Sequence, residues 1–370
     1  MKIAVDASQL NSTYTGVGRY LYNLLKKLAP LDYDIKYTLL LSSDAEFDLD
    51  FKNIEKIILK TDRGNLYWQN FILNKELKNG NYDFLWSPNY YSPLFYRGRS
   101  ILSVHDVSWK ALPDNYSFPN RMIREILSRY SLKKASIVFT LSEFSKSEII
   151  KYYGTDPSII DVVHLAIDDS FKRSQDQTVQ KFRKKYGITE GPVIGFLGSI
   201  FKRRNIDILI KSYQFLKNSY PELKLMLVGE NFDTNVEPLL RNDPSIIWKK
   251  RISENEIKDF YSGIDLFVYI SEYEGFGLPP LEALKCGTIP LLLRKTSLKE
   301  IFSDIALFID DADPDKLSEK INEFLKDRNN ISNNILGKFK TRENYFSWER
   351  VAEDYVKKLK NLFYTGPIEK

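Results

Sequence analysis

At 370 residues, 43% hydrophobic and 28% charged, the chain is long enough for two ordinary domains, each with its own core. No apolar run approaches the roughly 18 residues of a spanning helix, Asp6 comes too early for a signal peptide, and one cysteine (Cys286) with two histidines (His105, His164) excludes a disulfide framework or a His- or Cys-rich metal centre and fits a reducing cytoplasm. A net charge of +5 suits an anionic ligand or an anionic membrane surface but falls well short of a nucleic-acid signature.

The first half alternates short apolar strands with amphipathic helices. Lys2–Asp6 reads as a strand, followed by a loop from Asn11 to Gly18. Leu21, Leu24, Leu25 and Leu28 then share one face of a helix expected near Arg19 to Leu28. Further strands are expected at 37–41, 56–59, 84–86, 101–105, 137–141 and 160–163. Residues 118–134 read as a basic amphipathic helix. Arg121, Arg124, Arg129, Lys133 and Lys134 stand there against Glu125 alone, and Met122, Ile123, Ile126, Leu127 and Tyr130 recur at helical spacing. Such a helix can lie on anionic lipid or pack on its own core. Ser142 opens another helix as a cap.

Residues 169–191 are polar and read as an interdomain connection. A second series of strands follows, expected at 193–197, 223–228, 246–249, 266–270, 289–293 and 306–309. Helices lie between most of them, one from Arg204 to Leu216, and a last helix runs from about 347 to 363 with Ser347 as its N-cap. Alternation of this kind predicts parallel sheets covered on both faces, with ligands at the carboxyl ends of the strands.

The densest chemistry lies in Glu274-Gly275-Phe276-Gly277-Leu278-Pro279-Pro280-Leu281-Glu282. Two carboxylates stand eight positions apart across a glycine turn that opens a helix, with prolines suited to its first turn. The prolines have no N–H, so the donors for an anion come from Phe276, Gly277 and Leu278, helped by the helix dipole. One carboxylate would meet sugar hydroxyls and the other a ribose diol. A plain strand-to-helix connection is the competing reading. Gly198-Ser199-Ile200-Phe201-Lys202-Arg203-Arg204-Asn205 follows a strand with three adjacent cations, which would attract a diphosphate or simply form a solvated turn. Gly16-Val17-Gly18-Arg19 is a fragment of a glycine-rich loop, or a turn before a helix. His105 ends a strand, with Asp106 beside it to orient it or cap the next turn; His164 reads as structural. Asp48-Leu49-Asp50 and Asp311-Ala312-Asp313 have the metal-binding Asp-x-Asp form, in contexts that read as loops or caps.

These segments resemble the family 4 retaining glycosyltransferases of the GT-B fold. The Glu274–Glu282 stretch is similar to that family's Glu-x7-Glu signature, and Arg203-Arg204-Asn205 falls on its Arg-Lys-Asn, with Arg204 replacing the usual diphosphate-binding lysine. Thr15 occupies the first glycine of the family's Gly-Gly-Val-Gly-Arg-Tyr, and Ser199 stands where many relatives carry an arginine. The resemblance implies an α/β fold of two Rossmann-like domains facing each other across a cleft. Residues 1–167 would form the acceptor-side domain, with the 347–363 helix packing back on it, and 190–346 the nucleotide-sugar donor domain. It implies transfer of a hexose from a nucleotide-diphosphate sugar to a saccharide or lipid-linked acceptor, with retained configuration and no metal or other cofactor. Glu274 and His105 would serve the transferred sugar. Gly16, Ser199, Arg203, Arg204, Phe276, Gly277, Leu278 and Glu282 would hold the donor, with base contacts near Arg251 and Ile252. GDP-mannose is the first donor candidate, and surface polysaccharide assembly at the inner face of the cytoplasmic membrane is the setting, with a peripheral membrane contact and no nucleic acid. A phosphorylase or epimerase of the same fold, or a non-catalytic nucleotide-sugar-binding subunit, is the alternative.

Overall fold

The computed structural model describes residues 1–11, 16–45, 47–243 and 245–365; the reading of Thr15 lies outside them. The chain divides into two compact units, Met1–Ala166 together with the segment from Tyr345 onward, and Ile167–Asn344.

The first unit holds a seven-stranded sheet of β1 (Lys2–Asp6), β2 (Lys36–Leu41), β3 (Ile54–Ile58), β4 (Phe84–Ser87), β5 (Ser100–Ser103), β6 (Ile137–Thr140) and β7 (Ile160–Val162). All pairings are parallel, in the order β3-β2-β1-β4-β5-β6-β7. Central strands are buried on both faces, so they read as continuous apolar runs: all of Phe84–Ser87 is buried. β3 lies at the edge and carries Glu55 and Lys56 exposed, which discourages further strand pairing.

Helix Gly16–Leu31 buries Tyr20, Leu21, Leu24, Leu25 and Leu28. It begins three residues earlier than the periodicity predicts, so Gly16 and Gly18 form its first turn instead of a loop. A helical glycine costs only about 1 kcal/mol, which burial of the leucine face outweighs. The final helix, Trp348–Thr365, packs on this one. Tyr355 Oη meets Tyr20 Oη at 2.5 Å, and Lys27 pairs with Glu349 at 2.5 Å. Ser347 Oγ accepts from Arg350 N at 3.4 Å. His164 joins the same assembly: its Nδ1 lies 2.9 Å from Tyr345 Oη, and its carbonyl accepts from Arg350 Nη2 at 3.1 Å.

Helix Phe118–Lys134 occupies the span the sequence predicts, but its side chains divide differently. Leu127 is buried with Leu132, whereas Phe118, Met122, Ile123 and Ile126 are exposed at 66, 39, 41 and 55%. Arg124 lies against the rings of Tyr90, Trp109 and Tyr116 at 5.7–5.9 Å, and Arg129 pairs with Glu125 at 2.6 Å. Those two cations are therefore engaged with the protein's own surface. Ser142 caps helix Glu143–Tyr153 by accepting from Ser145 N.

The second unit holds β8 (Val193–Leu197), β9 (Lys224–Val228), β10 (Ile246–Lys249), β11 (Leu266–Tyr269), β12 (Ile289–Leu293) and β13 (Leu307–Ile309), parallel in the order β10-β9-β8-β11-β12-β13. The stretch read as a plain connection instead contains helix Asp176–Lys185, which packs on helix Glu254–Gly263 through Phe182. Phe182 is its one buried residue, so no apolar stripe announces it in the sequence. In each sheet the strand order reverses once, between β1 and β4 and between β8 and β11. Such a switch point leaves a crevice at the carboxyl ends of the strands.

Candidate active site

Two loops leave the switch point of the second sheet side by side. After β8, Gly198 adopts φ +141°, and a Cβ there would collide with Arg204 Nη1, so glycine is what leaves room for the guanidinium. Lys202–Arg204 form a 3-10 turn, and Asn205 at φ +54° precedes helix Ile206–Leu216. The helix thus starts two residues later than the pattern suggests. Asn205 Nδ2 donates to the Ile270 carbonyl at 3.0 Å, and Glu272 N donates to the Arg203 carbonyl at 2.8 Å. The basic turn is therefore pinned to the loop after β11.

That second loop carries Glu274 and ends at Gly277, whose φ of +107° suits glycine. A Cβ at Gly277 would lie 2.7 Å from Leu298 Cδ2 and 3.1 Å from Phe302 Cε2. Helix Leu278–Lys285 follows, with Pro279 and Pro280 in its first turn as the sequence predicts. Ser297 Oγ donates to the carbonyls of Glu274 at 2.7 Å and Phe276 at 3.3 Å and fixes the loop backbone.

Within this frame Glu274 Oε1 accepts from Tyr269 Oη at 2.9 Å and from Arg204 Nε at 3.4 Å. Arg204 Nη1 donates to the Ser199 carbonyl at 2.8 Å, so Ser199 contributes main chain here. Burial works against the Arg204 charge, but Tyr269 and Glu274 together hold its pKa above the ordinary arginine value, and it stays cationic. Burial, with the Glu274 charge adding to it, pushes the Tyr269 phenol well up despite Arg204, so it remains a proton donor. Glu282, one helical turn and more beyond, is buried and accepts from Tyr261 Oη at 2.9 Å. Arg203 lies over the Phe201 ring at 4.8 Å, and its buried Nε has no hydrogen-bond partner.

The structure thus brings together Ser199, Arg203, Arg204, Glu274, Phe276, Gly277 and Leu278, with Glu282 on the helix they open. Arg251 and Ile252 follow β10, two strands from β8; Arg251 is 86% exposed and lies 3.6 Å from Glu230. Gly16 and His105 belong to the first unit. Gly16 is exposed at the start of its helix. His105 is buried just beyond β5, its Nε2 3.0 Å from the Pro88 carbonyl and its ring edge-on to Tyr20 and Tyr90 at 4.9 and 5.6 Å. Burial lowers its pKa, opposed by the Pro88 carbonyl and Asp106, so the ring is neutral at pH 7 with the proton on Nε2. Asp106 caps the next turn, accepting from Ser108 N at 2.8 Å. Asp313 caps helix Pro314–Lys326, and Asp311 pairs with Lys316 at 2.6 Å. Sequence reasoning missed both tyrosines: Tyr269 fell within a strand read as buried, and Tyr261 was not singled out. For Tyr269 the available signal was a phenol in an otherwise apolar buried strand, since a buried hydroxyl needs a partner; Tyr261, in a helix, gave none of that kind.

Two doubly wound parallel sheets flanked by helices match the GT-B glycosyltransferase fold. Residues 14–171 match the model of Glycosyltransferase Family 4, and residues 178–341 that of Glycosyl transferases group 1. The chain belongs to the family 4 glycosyltransferases. It is similar to the O-antigen chain mannosyltransferase B of Escherichia coli, at 26% identity over 98% of this chain and all of that one. It is also similar to the O-antigen chain mannosyltransferase RfbU of Salmonella typhimurium, at 26% identity over 67% of this chain and 65% of that one. Among solved structures it superposes on Anabaena Alr3699/HepE in complex with UDP-glucose with a TM-score of 0.75 at 17% identity, over 98% of this chain and all of that one.

Proposed function

We propose that this glycosyltransferase moves a hexose from a nucleotide-diphosphate sugar to a hydroxyl of a saccharide or lipid-linked acceptor, with retained configuration and without a metal. The observation that carries the reading is the convergence of Arg204 and Glu274 at the switch point beside a helix N-terminus. A cation held beside a carboxylate suits a ligand with an anionic diphosphate next to a neutral sugar. The diphosphate draws Arg204, with Arg203 Nε as a second donor, and leaves Glu274 to the sugar hydroxyls. Glu282 takes the ribose diol. The bond from the anomeric carbon to the diphosphate oxygen breaks as the bond to the acceptor oxygen forms on the same face. The acceptor proton passes to the leaving phosphate, whose charge Arg204 and the helix dipole stabilise.

The O-antigen mannosyltransferase relatives favour a mannosyl donor and surface polysaccharide assembly. Among the described residues, no cluster of three or more His, Cys, Asp or Glu side chains is arranged to hold a metal ion, and no helix is long and apolar enough to cross a membrane. The exposed apolar residues and the basic side chains of helix Phe118–Lys134 support a peripheral contact with an anionic membrane. A donor screen by mass spectrometry, run with and without excess EDTA, tests the reading. GDP-mannose consumption unaffected by EDTA is expected. Turnover of another nucleotide sugar would replace the donor, and activity that only manganese restores would overturn the metal-free mechanism.

A further inference from the structure

The geometry points to two buried tyrosines outside the Glu274–Glu282 stretch as positioning residues of the reaction: Tyr269 aims Glu274, and Tyr261 aims Glu282. The inference rests on the roles proposed above for the two glutamates.

Each phenol is fully buried, and each donates to one carboxylate at 2.9 Å. Tyr269 ends β11 and Tyr261 lies in helix Glu254–Gly263, so the pair comes from two elements packed beneath the loop. Phe267 links them, with its ring 5.3 Å from Tyr261 at 75° and 5.8 Å from Tyr269 at 18°. Phe196 stacks on Tyr269 at 5.8 Å and 14°. Rings held this way cannot swing their hydroxyls to other partners without disturbing a close-packed core. Each carboxylate is therefore aimed by a donor whose own position the core fixes.

Tyr269 has a second task. The Arg204 guanidinium lies 5.2 Å from the centre of its ring and shares Glu274 Oε1 with its hydroxyl. When a diphosphate draws Arg204 away, Tyr269 still holds that oxygen. Glu274 then keeps its aim at the moment it must meet the sugar. Tyr261 does the same for Glu282, which meets the nucleotide and takes no part in bond making. The two tyrosines should therefore act on different kinetic constants, whereas tyrosines that merely fill the core would affect stability alone.

Tyr269→Phe and Tyr261→Phe remove only the hydroxyls. They are compared for kcat and KM with GDP-mannose and for GDP affinity by calorimetry; if the donor screen selects a UDP sugar, that sugar and UDP are used. Loss of one hydrogen bond to a charged group is expected to lower kcat about tenfold or more in Tyr269→Phe with GDP affinity kept within about twofold. In Tyr261→Phe, GDP affinity should weaken about tenfold, with kcat at saturating donor nearly unchanged. In a Glu274→Gln background, Tyr269→Phe should cost much less than it does alone. Wild-type kcat in Tyr269→Phe, or equal losses of kcat and affinity in both variants, overturns the assignment. Were the wild type to turn over no nucleotide sugar, the proposed function would fail, and Tyr261 would be judged on GDP and UDP affinity alone. Should a variant not fold, a crystal structure of the wild type with GDP decides. Arg204 away from Glu274 with Tyr269 still bonded to it supports the inference, and Glu274 parted from Tyr269 refutes it.

Discussion

Gly277 is the residue at which backbone and packing agree most closely on a single amino acid. Its φ of +107° and the nearness of Leu298 and Phe302 both disfavour any side chain. Gly277→Ala should destabilise the protein by about 2 kcal/mol or more, from backbone strain and overpacking together. Denaturant unfolding checks this, and an unchanged midpoint would show that the loop relaxes freely. His105 gives a prediction in pH. Its native pKa lies below the ordinary 6.5, so between those two values the unfolded chain binds more protons than the native one. Its contribution is then complete above pH 6.5 and lost as pH falls through the lowered native value. The unfolding midpoint should drop on acidification, and less steeply in His105→Gln; parallel profiles would remove this role. Much of this scale was legible in advance. Glu274, Gly277 and Arg204 announce themselves because their chemistry is contiguous with glycines and a strand end. Tyr261 and Tyr269 did not, because a buried aromatic looks like core until its hydroxyl is traced to a partner.

Elements were legible where burial is two-sided or strongly periodic. β1, β8, β10 and β12 have the bounds the sequence predicts; β1, β8 and β12 are almost wholly buried, whereas β10, at the sheet edge, buries only Ile246. Helix Asp176–Lys185 was not, because one buried phenylalanine makes no pattern, and the glycines at 16 and 18 disguised the start of a helix. Helix Phe118–Lys134 shows a third case, with its span predicted and its faces reassigned. Arg121 lies over the Phe118 ring at 5.6 Å and Lys134 Nζ donates to Tyr130 Oη at 2.5 Å, contacts within the helix itself, so lipid attraction falls to the helix's cations as a group beside the exposed Phe118, Met122, Ile123 and Ile126. Each cation near an anionic surface contributes about 1 kcal/mol. Vesicle co-sedimentation should show binding to anionic lipid that salt weakens, and Ile126→Asp should reduce it. Equal, negligible sedimentation with anionic and neutral vesicles would leave a soluble acceptor as the better reading.

For the whole molecule, strand–helix alternation was enough to predict two parallel doubly wound sheets, and their switch points then say where chemistry belongs. The return of the last helix to the first unit depends on contacts such as Tyr20–Tyr355, which join residues far apart in the chain and leave no local trace. The central claim is that the second unit's switch point is a sugar-transfer site in which Glu274 serves the sugar and not the nucleotide. Glu274→Gln tests it most directly, with turnover of the selected nucleotide sugar and nucleotide affinity measured on the same preparation. The account predicts a loss of about 100-fold or more in kcat with nucleotide affinity essentially kept. Wild-type turnover, or a loss of nucleotide affinity that accounts for the whole effect, would contradict it.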